Sequence, residues 1–319
     1  MTRVLITGGC GFIGSNLVEY LLTNTDWEVN VLDNLSNGRL EYISNLNDYN
    51  KRVNFIEGNI LDLTEVENSI QNCKYVINLA AQTSVVESQK NPIFDEEINV
   101  KGLLNLLKAS VENKIEKFVQ ASSAAVLGEQ EMPINESKVP NPISPYGVSK
   151  LAGEAYCFAF FKCFGLKSII LRFSNVYGPK SDMKSSVIAK FIKQIIDKEI
   201  ITVFGDGNQT RDYIFVRDLC SGIFNSLKKN SNNFEIFQFG SGIETSVNSL
   251  TNFLKKITKK RRIKFPGVTY CNPNPSEIYR SYSDISKVKR ILNFNPDFDL
   301  EKGIEITIDY FIKTKMKDK

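Results

Sequence analysis

A chain of 319 residues, 42% of them hydrophobic and 24% charged, has material for one large core or two modest ones, which sets disorder aside. Its formal net charge of +4 is too weak a bias to point to nucleic acid, although it suits anionic ligands. Cys10, Cys73, Cys157, Cys163, Cys220 and Cys271 lack the two-residue spacings of a zinc or redox motif, and histidine is absent, so every mechanism or metal site that requires imidazole is excluded.

The chain runs at once into Val4-Leu5-Ile6, too short for a signal-peptide core, and no apolar stretch approaches the roughly 18 residues of a membrane span. A cytoplasmic, reducing setting without membrane partners is therefore expected. Apolar, β-branched runs recur at 4–7, 29–32, 53–56, 75–79, 118–121 and 168–171, most of them separated by segments of helical period. That alternation predicts a doubly wound α/β unit around a buried parallel sheet. After Arg172 the pattern loosens into loops rich in Gly, Pro, Asn and Ser, with helices expected at 187–197, 249–259 and 301–313. The predicted division is a dinucleotide-binding domain over 1–172, completed by part of 212–245, and a smaller α/β substrate domain over 173–319. The basic run Lys259, Lys260, Arg261, Arg262 and Lys264 reads as a solvated helix end, with a polyanion site as the lesser reading.

Strand one ends at Thr7 and leads into GGCGFIGSNLVEYLL, which sets Gly8, Gly11 and Gly14 at three-residue intervals at the opening of an amphipathic helix. Residues without Cβ atoms let a pyrophosphate approach the backbone and the positive helix end, and let the helix lie close to the sheet. The second strand ends at Asp33, where a carboxylate can accept hydrogen bonds from an adenosine ribose. The unit is thus expected to be Rossmann-type. An acid there repels a 2′-phosphate, so NAD is expected rather than NADP; Arg39 is the residue that could reverse this by offering a phosphate partner.

Further on, SPYGVSKLAGE opens a helix on which Tyr146 and Lys150, four residues apart, leave one face. Ser123 closes the fifth strand at its C-terminal end, where ligands sit in open α/β sheets. A neutral tyrosine is a poor base, but a neighbouring ammonium and a positive nicotinamide ring favour its phenolate, and Ser123 can share the proton being moved.

With these residues in view, the sequence resembles the extended short-chain dehydrogenase/reductases, and most closely the UDP-glucose and UDP-N-acetylglucosamine 4-epimerases with their dehydratase relatives. The likeness rests on GGCGFIGS, LDNLSNG, NLAAQTSV, INVKGLLNLL, ASSAAVLGE, SPYGVSK, RFSNVYGP, ITVFGDGNQTRDYIFVRDL and SYSDISK, which together span nearly the whole chain. It implies NAD as cofactor, a nucleotide-diphosphate sugar as substrate, and catalysis by Ser123, Tyr146 and Lys150 through a transient 4-keto sugar. It places Gly8, Gly11, Phe12, Ile13, Gly14, Asp33, Asn34, Ser36, Gly38, Asn59, Ile60, Leu79, Ala80, Ala81, Asn99, Tyr146 and Lys150 around the cofactor. Ser84, Ser123, Asn175, Val187, Phe204, Arg211, Glu277 and Ser281 are implied to line the substrate. A homodimer built from the helix after Pro92 and the helix carrying Tyr146 is implied as well.

Departures from the pattern narrow the reading. Dehydratases of this kind place an Asp-Glu pair after the strand-end Ser/Thr, whereas this chain has Ala124-Ala125, whose methyl groups cannot transfer protons. Decarboxylation of a nucleotide-bound glucuronate, or another dehydratase or net oxidoreductase activity on a nucleotide sugar, stays open as a second reading, and a non-catalytic NAD-binding regulator as a third. Arg211 reads as a diphosphate ligand, or else as the partner of Asp212 or Asp218. Where the family usually reads Arg-Pro-Gly before an acid, this chain has Asn274-Pro275-Ser276-Glu277; Arg280 reads either as a substitute from a shifted loop or as a surface charge. Leu127 replaces the usual Tyr, and Asn59 the usual Asp. Ser281 occupies the position of a gate residue that is bulky where only plain hexoses are accepted, so its small side chain leaves room for an N-acetyl group.

Overall fold

The computed structural model describes residues 1–229, 234–273 and 278–317. Strands β1 (Arg3–Thr7), β2 (Glu28–Asp33), β3 (Val53–Glu57), β4 (Tyr75–Asn78), β5 (Lys117–Ser123) and β6 (Ser168–Phe173) fall within one or two residues of the six predicted runs. Helix α1 (Phe12–Asn24) joins the first two, and the short α2 (Glu41–Ser44) and α3 (Tyr49–Arg52) precede β3. Helix α4 (Leu63–Ser69) leads to β4, and α5 (Val85–Lys90), α6 (Pro92–Glu96), a π-turn (Glu97–Lys101) and α7 (Gly102–Glu112) lead to β5. The long α8 (Pro145–Phe164) returns the chain to β6.

Beyond β6 come β7 (Asn175–Tyr177), α9 (Val187–Asp197), β8 (Ile201–Phe204), β9 (Thr210–Arg211), β10 (Tyr213–Phe215) and α10 (Val216–Lys228). They are followed by β11 (Glu235–Phe239), β12 (Thr245–Ser246), α11 (Val247–Lys260), β13 (Val268–Cys271), α12 (Ser286–Leu292) and α13 (Leu300–Lys317). The main sheet has seven parallel strands in the order β11-β6-β5-β4-β1-β2-β3, so the chain reverses direction between β1 and β4. Ligands of open α/β sheets bind at such a reversal, beyond the carboxyl ends of the strands.

Both faces of the sheet are buried at its central strands, which is why these read as apolar runs rather than alternating ones, while edge strand β3 has no fully buried residue. Val4 and Ile6 face one layer with Leu17, Val31 and Leu219, while Leu5 faces the other with Leu103, Leu107 and Phe118. A separate core gathers Ile188, Phe191 and Ile192 of α9 with Phe215, Leu254, Ile304 and Ile308. The basic run at the end of α11 is not simply solvated. Lys260 reaches Glu301 and Glu305, and Arg261 grips Asp309 through two bonds of 2.6 and 2.8 Å, because α11 lies against α13. Among the described residues no helix is long and apolar enough to cross a membrane.

Candidate active site

Gly8 has φ +69° and lies so near β4 that a Cβ there would come 2.8 Å from the Ala80 nitrogen. A Cβ on Gly14 would come 2.1 Å from the Gly8 carbonyl oxygen. The loop and the first turn of α1 therefore sit closer than any side chain permits. Gly11 caps α1 without a side-chain hydrogen bond, leaving the first N–H groups of the helix for an anion. Phe12 is buried and Ile13 half-buried at that end.

Asp33 closes β2 with its carboxylate buried. Its Oδ2 accepts from Cys10 N and its Oδ1 from Leu35 N, both at 2.9 Å. Burial raises its pKa, and the backbone N–H groups of Leu35, Cys10 and Gly11 oppose that rise. Asn34 and Ser36 are exposed on the following loop, and Gly38 lies against Cys10 and Asp33. Asn59 Oδ1 accepts from Leu61 N at 3.0 Å. The side chains of Phe12 and Ile60 are largely buried in the core. Leu79, Ala80 and Ala81 continue from β4, with Ala80 N donating to Thr7 Oγ1 at 3.3 Å.

Helix α8 carries the central group. Ser144 caps it by accepting from Gly147 N at 3.1 Å, Pro145 begins it, and Gly165 ends it in the left-handed region. Tyr146 lies beside Ser123 at the end of β5; burial pushes its phenol up to about 12, and the nearby Ser123 hydroxyl pulls it down. One turn on, Lys150 Nζ lies 5.8 Å from the Tyr146 ring centroid and donates to the Ala121 carbonyl at 3.3 Å. Desolvation brings its pKa down to about 8, Asp95 opposes that fall, and Lys184 adds to it. Asp95 is itself buried, accepting from Ser149 Oγ at 2.5 Å and Asn99 Nδ2 at 3.2 Å. Asn99 also donates to the Gln82 carbonyl at 3.0 Å, and its Oδ1 has no partner among the described residues.

The residues expected on the substrate side lie on several separate segments. Thr210 N donates to the Tyr279 carbonyl at 2.9 Å, tying the strand of Arg211 to the segment of Ser281, which is half-buried. Ile134 N donates to the Tyr282 carbonyl at 3.0 Å, tying that segment to the loop after Ser123. Arg211 Nη1 donates to the Thr210 carbonyl at 2.7 Å. Asn175 is exposed and its backbone N donates to the Asp212 carbonyl at 3.0 Å. Val187 begins α9, and Phe204 ends β8 under the Lys190 ammonium. Ser84 is half-buried and caps α5 by accepting from Glu87 N at 3.2 Å. Glu277, with Asn274, Pro275 and Ser276, lies outside the described residues.

Arg280 makes a two-pronged pair with Glu244 at 2.7 and 2.8 Å on the exposed surface, in keeping with its reading as a surface charge. Leu127 is fully buried with Val126 and Ile134, where an apolar side chain satisfies the local packing.

Residues 4–240 match the family described as NAD dependent epimerase/dehydratase. The fold superposes on a UDP-glucose 4-epimerase from Thermotoga maritima solved with UDP-glucose, with TM-score 0.90, 36% identity and coverage of 98% of this chain and 100% of that one. It matches a UDP-N-acetylglucosamine 4-epimerase from Methanobrevibacter ruminantium M1, in complex with UDP-N-acetylmuramic acid, at TM-score 0.91 and 33% identity over 98% and 99% of the two chains. A UDP-glucuronic acid 4-epimerase from Bacillus cereus, in complex with UDP-glucuronic acid and NAD, gives TM-score 0.90 and 30% identity over 98% and 100%. The chain belongs to the NAD-dependent epimerase/dehydratase family.

The residues present fit the family's NAD. The Gly8–Gly14 cradle is one that side chains would fill, the N-terminus of α1 faces it uncapped, and Asn99 holds a buried acceptor in reserve. Sequence reasoning missed Asp95, Ser149 and Lys184. Asp95 and Ser149 meet because α6 lies against α8. Lys184, donating to Thr83 Oγ1 at 3.2 Å, comes from the segment between β7 and α9. No spacing in the chain announces either contact.

Proposed function

We propose that this chain is a UDP-sugar 4-epimerase, accepting UDP-N-acetylglucosamine and UDP-N-acetylgalactosamine and, with less demand on space, UDP-glucose and UDP-galactose. The observation that carries this reading is the Ser123–Tyr146–Lys150 group at the end of β5, followed directly by Ala124 and Ala125 in a single 3₁₀ turn. The epimerase relatives support the activity class, and the small, half-buried Ser281 supports the acetylated sugars.

Bound NAD supplies the hydride acceptor and donor and a positive ring beside the phenol. Tyr146 removes the proton of the sugar 4-hydroxyl as C4 is oxidised, and returns it when the keto sugar is reduced on its other face. Lys150, protonated below about pH 8, stabilises the phenolate, and Ser123 donates to it. Ala124 and Ala125 offer no acid or base for eliminating water. Residues 1–172 with part of 212–245 would hold the cofactor, and 173–319 the nucleotide sugar. The exposed Ile93 and Phe94 of α6 and Val148, Tyr156 and Phe158 of α8 support a homodimer through these helices, and six free cysteines suit a cytoplasmic setting.

Incubation with a panel of UDP-sugars, products read by NMR and mass, tests the proposal. The expected result is C4 inversion at constant mass without net absorbance from reduced cofactor; loss of water or carbon dioxide, or steady accumulation of reduced cofactor, would overturn it.

A further inference from the structure

Asp33 alone does not account for the charges at the adenosine end of the cofactor cleft. Arg39 lies one residue beyond Gly38, and its backbone N donates to the Cys10 carbonyl at 3.0 Å, which fixes the root of its side chain beside Asp33. An arginine so placed is the partner that a 2′-phosphorylated dinucleotide requires.

The guanidinium is instead drawn toward the segment between β7 and α9. Its Nη1 stands 3.9 Å from Asp182 Oδ2, its Nη2 lies 3.0 Å from Met183 Sδ, and its carbon lies 5.9 Å from the Tyr42 ring centroid. Tyr42 in turn donates its hydroxyl to Asp182 Oδ1 at 2.7 Å, and burial together with that carboxylate raises its pKa, so it stays a donor. The Asp182 side chain is 17% exposed against 41% for Arg39, so the acid is the fixed member of the pair and the arginine the adaptable one.

The segment that carries Asp182 is anchored on both sides. Asn16 Nδ2 donates to the Pro179 carbonyl at 3.0 Å, and Lys180 Nζ reaches Glu19 at 2.7 Å. Lys193 Nζ donates to the carbonyls of Asp182 at 3.0 Å and Lys184 at 2.9 Å.

We propose that Asp182 is a second cofactor-specificity residue, which holds and neutralises Arg39 so that dinucleotides with a free 2′-hydroxyl are accepted and those with a 2′-phosphate are refused. A 2′-phosphate entering this corner meets the Asp33 carboxylate and an arginine whose charge Asp182, 3.9 Å away, already offsets. A neutral hydroxyl meets neither penalty, so NAD loses nothing by the arrangement. The inference rests on the cofactor reading of this cleft but not on which sugar is epimerised.

The test is displacement of bound, labelled NAD from the purified enzyme by unlabelled NAD and by NADP, in wild type, Asp182→Asn, and Asp182→Asn combined with Arg39→Ala. In Asp182→Asn, NADP should compete roughly tenfold better or more, the size of one charge-assisted hydrogen bond, while NAD changes by no more than about twofold. Adding Arg39→Ala should cancel the gain. Unchanged NADP competition in Asp182→Asn, or a gain that survives Arg39→Ala, overturns the proposal. Loss of both nucleotides in Asp182→Asn also overturns it, because Asp182 would then support the segment rather than select the cofactor. If wild type holds no NAD to displace, the cofactor reading itself fails and the proposal with it.

Discussion

The Lys150 ammonium is fixed 5.8 Å from the centre of the Tyr146 ring by its bond to the Ala121 carbonyl, so the cation that favours a phenolate is part of the resting site. Burial alone would keep Tyr146 neutral, and its pKa near 12 in the free protein reflects that. The base is made by what surrounds the phenol, in proportion to the positive charge nearby.

Tyr146→Phe is expected to keep the fold and NAD binding while lowering turnover by about 10²-fold or more, the range for a positioned acid/base group. The lost hydroxyl touches Ser123, which can rotate, so the packing of α8 stays in place. Near-wild-type turnover in a steady-state assay would remove Tyr146 from the mechanism.

The charge state of Lys150 gives a pH prediction with a defined sign. Its pKa is lowered chiefly by desolvation, raised by Asp95 and lowered further by Lys184. Activity that needs the ammonium falls as pH rises through that value, so the alkaline limb of the rate profile reports it. Asp95→Asn removes the attraction and should move that limb to lower pH; Lys184→Met removes the repulsion and should move it to higher pH. Rate profiles in which both variants shift the same way, or neither shifts, would exclude this electrostatic account.

How much of this was legible beforehand depends on the range of the interaction. The Gly8–Gly14 spacing and the Tyr146–Lys150 spacing are local, governed by one turn and by helical period, and both are read directly from the chain. The central strand runs were legible because burial on both faces leaves no alternation to obscure them, and edge strand β3 by its short apolar run at 53–56. Strand β11 was missed as a strand, since the glutamate and glutamine among its five residues interrupt a short apolar signal. Asp95, Lys184 and Asp182 were not legible at all. Their roles come from the contact of α6 with α8 and from the segment between β7 and α9 reaching back to Arg39 and Thr83, distances of 101 to 144 residues for the latter pair of contacts.

One structural pair should dominate the stability of the catalytic helix. Glu154 accepts from Arg172 at 2.9 and 2.7 Å and from Ser122 at 2.5 Å, all of them buried, one turn beyond Lys150. Glu154→Ala leaves the Arg172 charge buried without its carboxylate and should cost about 3–5 kcal/mol. The measurement is the urea midpoint at unchanged slope; a loss below about 1 kcal/mol, the value for an exposed pair, would show that water replaces the carboxylate.

Substrate size provides the last prediction, and it rests on Ser281. This residue is half-buried on the segment that Tyr282 and Asp284 tie to Ile134, and Ile134 packs with Val126 and Leu127 just beyond Ser123. The segment is therefore held against the catalytic end of β5 by two backbone bonds, of 3.0 Å from Ile134 N and 2.8 Å from Asp284 N, which limits its freedom to retreat from a larger side chain. If Ser281 faces the sugar's C2 substituent, wild-type enzyme should turn over the acetylated UDP-sugars with a specificity constant at least comparable to that of the plain hexoses. Ser281→Tyr should then depress the acetylated pair selectively, because overpacking costs about 1–3 kcal/mol and acts only on the substrate that fills the space. That cost corresponds to a change in preference of roughly 10- to 100-fold. Competition kinetics with acetylated and plain sugars in one vessel measure the ratio without interference from enzyme concentration. Wild-type indifference to the acetylated pair, or equal slowing of both classes by Ser281→Tyr, would mean that another residue forms the gate.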